Sequence, residues 1–90
     1  MQREQGTQVT FHYVNGEIES YTLPIEADEF YRQFQSASGW LILHQFDCTV
    51  MLPMEKIVKL EIRPSLPQLE GAGIFQKAQQ VTALKRGAKR

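Results

Sequence analysis

The sequence predicts an α+β fold, and three observations carry that expectation. Short runs alternate apolar and polar residues at a period of two on either side of one stretch with a period near 3.6. Asn15-Gly16, Pro24, Ser38-Gly39 and Pro53 punctuate those runs where a chain must turn or stop. With 90 residues there is room for one domain and one modest core. The expected order is β-β-α-β-β-β, forming either a small antiparallel sheet or a partly open barrel, with the domain at 1–63 and a C-terminal extension that has room for a short helix.

Taken in order, 1–6 is polar and aperiodic and is expected to be disordered. Gln8 to Val14 alternates and is rich in β-branched and aromatic residues, the pattern of a strand. Asn15-Gly16 tolerates positive φ and suits a two-residue hairpin turn, after which Glu17 to Leu23 returns as the antiparallel partner. A two-residue turn sets Tyr13 opposite Ile18 and His12 opposite Glu19. Val9, Phe11, Tyr13 and Ile18 then face the core, and His12, Glu19 and Tyr21 face away. Pro24 ends the strand by removing a backbone donor.

From about Glu26 to Ala37 the period changes. Ala27, Phe30, Phe34 and Ala37 fall on one helical stripe, and Glu26, Asp28 and Glu29 sit in the first turn, where the helix dipole favours anions. Ser38-Gly39 ends the helix, since glycine reaches the left-handed conformation. Trp40-Leu41-Ile42-Leu43 is apolar at successive positions and is expected to be a central strand buried on both faces. Thr49 to Leu52 forms the next strand. Pro53 to Lys56 suits one tight 3₁₀ turn, and Val58 to Arg63 alternates apolar and charged as a strand with one wet face.

The extension spans 64–90. Pro64 to Gly73 reads as a linker that still carries Leu66 and Leu69, which can press back onto the domain. Beyond it Ile74, Ala78, Val81 and Lys85 are spaced as one helical face flanked by Phe75, a candidate amphipathic helix over 74–86. Net charge is zero, but it is divided. Residues 1–70 hold five basic and ten acidic side chains, 5 − 10 = −5, while 71–90 hold Lys77, Lys85, Arg86, Lys89 and Arg90 and no acid, giving +5. A cationic, partly apolar tail on an anionic domain suits contact with something anionic or with another protein surface.

Chemistry-bearing constellations are scarce. His12, His44 and Cys48 lack the spacing of a zinc site, so no metal is expected. Cys48 has no flanking nucleophile motif and reads as a small core or turn residue, and Gly71-Ala72-Gly73 lacks phosphate-loop spacing. Neither a cofactor nor catalysis is expected. Met1 to Thr10 is too polar for a signal peptide and no apolar run reaches the ~20 residues of a membrane span, which suits a cytoplasmic protein.

Gly39-Trp40-Leu41-Ile42-Leu43 and Pro67 to Phe75 resemble stretches of small uncharacterised cyanobacterial proteins. That resemblance implies a small cytosolic protein and carries no functional residue. The expected function is that of a non-enzymatic interaction module or accessory subunit, with a protein partner or self-association. Its contact residues would be Leu66, Leu69, Ile74, Phe75, Val81, Leu84, Lys85, Arg86, Lys89 and Arg90. The alternative is nucleic-acid binding, with the basic tail on phosphate and Tyr21, His12 and Trp40 as a stacking platform.

Overall fold

The computed structural model describes residues 6–82. The elements are β1 (Thr7–Tyr13), β2 (Ile18–Leu23), α1 (Ala27–Ser36), β3 (Trp40–His44), β4 (Thr49–Pro53), a 3₁₀ turn (Met54–Lys56) and β5 (Ile57–Arg63). The order β-β-α-β-β-β and the α+β class stand. The strands form two antiparallel sheets rather than one: β2-β1-β5, and a separate hairpin β3-β4. The sheet is open, not a closed barrel.

Val9 and Phe11 on β1 are fully buried and form the core with Phe30 of α1 and Leu52 of β4. The helix covers one side with Ala27 and Phe30 buried, and Phe30 stacks on Phe34 at 5.8 Å. The hairpin closes the core with Leu41, Leu43 and Val50, while Leu60 and Ile62 reach it from β5. Ala37 donates its N–H to the Phe34 carbonyl, and Gly39 then turns the chain at φ +80.

The first hairpin departs from expectation by one residue. Tyr13 N–H donates to the Glu17 carbonyl at 2.9 Å and His12 pairs with Ile18, leaving Val14-Asn15-Gly16 as a three-residue loop. Gly16 adopts φ +93, the left-handed position that closes such a loop, and the Asn15 side chain accepts the Glu17 N–H at 3.0 Å. Because side chains alternate, a one-residue slip exchanges the faces of β2. Tyr21 and Leu23 therefore pack against the core, and Ile18, expected inside, is 59% exposed.

A second departure concerns Trp40 to Leu43. The strand is not central: among the described residues β3 pairs only with β4. Leu41 and Leu43 face the core, whereas Trp40 and Ile42 are half-exposed on the other side. Apolar residues at successive positions mean that neither face carries charge, not that both are covered. On β5, His12 pairs with Lys59 and Tyr13 with Ile57, so Val58 is an extra, bulged residue.

Candidate interaction surface

Three groups of side chains lie outside the core, and their local geometry decides what each can do. On the outer face of the larger sheet, His12 Nε2 lies 3.1 Å from Glu61 Oε1 on β5, not beside Glu19 as the two-residue turn implied. The hydrogen bond from His12 holds the Glu61 carboxyl below the usual glutamate range. At the open end of the same sheet, the hydroxyls of Tyr13 and Tyr21 both donate to Glu19 Oε1 at 2.9 Å. Burial first, and the Glu19 carboxylate second, push both phenols up. Each arrangement is a closed set of partners with no group aimed into a cavity.

The stacking platform is not assembled. Tyr21 packs edge-on against Phe11 at 5.9 Å on the core face, His12 lies on the opposite face of the same sheet, and Trp40 belongs to the other sheet. Cys48 is exposed in the β3-β4 turn, its thiol donating to Gln45, and His44 is tied to Thr49 at 3.0 Å. Among the described residues no three His, Cys, Asp or Glu side chains cluster as a metal site, and no helix is long and apolar enough to cross a membrane.

The β3-β4 hairpin is the second exposed group. Its outer face presents Trp40, Ile42 and Met51, each half-exposed, and its tip presents a fully exposed Phe46. Beside β3 lies a groove of about 480 Å³. Leu23 and Ile25, Phe30 and Phe34 of α1, and the whole of β3 line it. His44 is the sole titratable side chain lining it. Such a groove offers apolar contact and backbone hydrogen bonds rather than acid–base chemistry.

The tail is the third. Leu66, Leu69 and Ile74 are partly buried, and none of them joins the core cluster. Leu69 N–H donates to the Leu66 carbonyl and Ile74 N–H to that of Gly71. The amphipathic helix expected over 74–86 is not present in 74–82. Lys77 has φ +59 and Gly73 φ +83, both outside helical geometry, and a short helix without a packing surface is unstable in water. Phe75 and Val81 are 83% and 94% exposed. Leu84, Lys85, Arg86, Lys89 and Arg90 lie outside the described residues, as do 1–5 of the segment expected to be disordered.

Sequence reasoning placed the contact surface on the tail and did not single out the exposed apolar face of the hairpin. The signal was composition: of the 16 residues from Gly39 to Met54 only Asp47 is charged, in a chain that is 22% charged. No family model, no curated protein and no solved structure matches this chain.

Proposed function

We propose that the protein is a small non-enzymatic interaction module that engages another protein through its C-terminal tail. The observation that carries this reading is the exposure of Phe75 and Val81 on a segment that the core does not use. Aromatic and branched side chains so exposed add nothing to the core, and their burial against a partner would release ordered water. The +5 charge of 71–90 adds electrostatic steering toward an acidic surface.

The test compares proteins cross-linked to the full-length chain in its native host with those cross-linked to a Phe75→Ser/Val81→Ser variant. A specific partner should be captured by the native sequence and lost with the variant, whose unfolding midpoint should be unchanged. The same partner captured equally by both would remove the tail from the interface.

Charge separation also keeps a nucleic-acid reading in view. Its requirement is different: retention on immobilised RNA or DNA that weakens steeply with salt and with Lys85, Arg86, Lys89 and Arg90 replaced by alanine. The dispersal of Tyr21, His12 and Trp40 over three surfaces removes the stacking half of that reading, so the protein-contact reading is preferred.

A further inference from the structure

The free edge of β3 carries an inference that is independent of the tail. Antiparallel ladders alternate bonded and non-bonded residue pairs. Met54 N–H donates to the Gly39 carbonyl at 2.9 Å and Gln45 N–H to that of Cys48 at 2.8 Å, so these pairs are bonded at the two ends of the hairpin. Between them the bonded pairs must be Leu41 with Leu52 and Leu43 with Val50. Leu41 and Leu43 thus direct their backbone groups to β4, whereas Trp40, Ile42 and His44 direct theirs outward, to the side where no strand of the described residues lies. The Trp40 N–H is taken by the Ser38 carbonyl at 2.9 Å. What remains on the free edge is the Trp40 carbonyl, both groups of Ile42 and both groups of His44.

We propose that this edge is a homodimer interface, in which β3 pairs antiparallel with β3 of a second copy about a two-fold axis at Ile42. The pattern is self-complementary. Each Ile42 N–H donates to the Ile42 carbonyl of the other copy, and each His44 N–H donates to the other copy's Trp40 carbonyl. The result is a four-stranded sheet, β4-β3-β3-β4.

A second copy is favoured over a foreign peptide by charge and by comparison of the edges. Isologous contact sets every side chain near its own symmetry mate or neighbour, so like charges there are penalised. Gly39 to Met54 holds only Asp47 as a charged residue, and that lies in the terminal turn. Natural sheets protect free edges with charge, proline or bulges. β5 carries Lys59, Glu61 and Arg63, β4 ends in Pro53, which has no N–H to offer, and β2 carries Glu19 and is followed by Pro24. β3 alone has none of these. Trp40, Ile42, Met51 and Phe46 are the aromatic, branched and thioether residues typical of interface cores.

The test uses the full-length chain in sedimentation equilibrium. The native sequence should show a concentration-dependent monomer–dimer equilibrium. Ile42→Lys and Ile42→Glu, each at a half-exposed site, should weaken dimerisation by roughly a hundred-fold or more, because like charges then meet at the axis. Mixing the two variants should restore a dimer, since the charges become opposite.

A Cys48→Ser/Ile42→Cys variant provides a measurement without added charge. Bonded antiparallel residues have Cα atoms about 5.5 Å apart, within disulfide range, so mild oxidation should link two copies through residue 42. A native chain that stays monomeric to its highest soluble concentration would overturn the proposal. So would a dimer indifferent to Ile42→Lys, or one that is abolished by Phe75→Ser/Val81→Ser instead.

Discussion

At the residue scale, burial and hydrogen bonding move the titration of side chains that the sequence shows only as isolated polar positions. The Glu61 carboxyl is held below its ordinary value of about 4.3 by the bond from His12. A depressed carboxylate contributes stability above its unfolded value and loses it as pH falls through the folded one. The pair is partly exposed, so the contribution is small, a few tenths of a kcal/mol. Glu61→Gln should therefore lower the unfolding midpoint slightly near neutrality, and the difference should vanish in acid. Tyr13 and Tyr21 behave in the opposite direction. Their raised values favour the neutral phenol in the folded state, so that contribution is intact below about 10 and declines as pH rises beyond it. Near-ultraviolet titration should show late phenolate formation, and Glu19→Gln should bring its onset earlier while burial keeps it above the ordinary value.

At the element scale, the first hairpin shows what was legible and what was not. Both strands, the turn at Asn15-Gly16 and the core placement of Val9 and Phe11 follow from alternation and turn chemistry. The register does not, because Asn-Gly serves a two-residue turn and also the end of a three-residue loop, and the choice inverts one face of β2. Substitutions separate the two. Ile18→Ser should cost within about 0.5 kcal/mol, as an exposed change does, whereas Tyr21→Ser should cost about 2–3 kcal/mol through lost packing on Phe11. A two-residue turn would reverse that ranking, and urea unfolding of the two variants reads it directly. Helix α1 was legible because Ala27, Phe30 and Phe34 define one stripe and Pro24 precedes it, but its end was not: the chain is already extended at Ala37, before Gly39 turns it. β3 was legible as a strand but not as an edge, since the covering of a face depends on which strands are neighbours. The hairpin's exposed apolar face was visible only in its lack of charge.

At the scale of the whole molecule, the position of the core bears on what the tail does. Among the described residues, every member of the buried cluster and of its packed neighbours lies between Val9 and Ile62. A chain ending at Ser65 should therefore fold cooperatively. Leu66, Leu69 and Ile74 do not pack on the buried cluster, so their loss should cost less than Phe11→Ala, which empties a fully buried aromatic site and should cost about 3–5 kcal/mol. Shortening also removes the balance of charge. Residues 1–65 hold five basic and nine acidic side chains, 5 − 9 = −4, in place of net zero, so the isoelectric point should fall well below 6.7. Thermal unfolding with isoelectric focusing of the two chains checks both expectations. A shortened chain with no cooperative transition would mean that the tail's half-buried leucines are part of the folding unit, and the division between an anionic domain and a separate cationic contact element would fail.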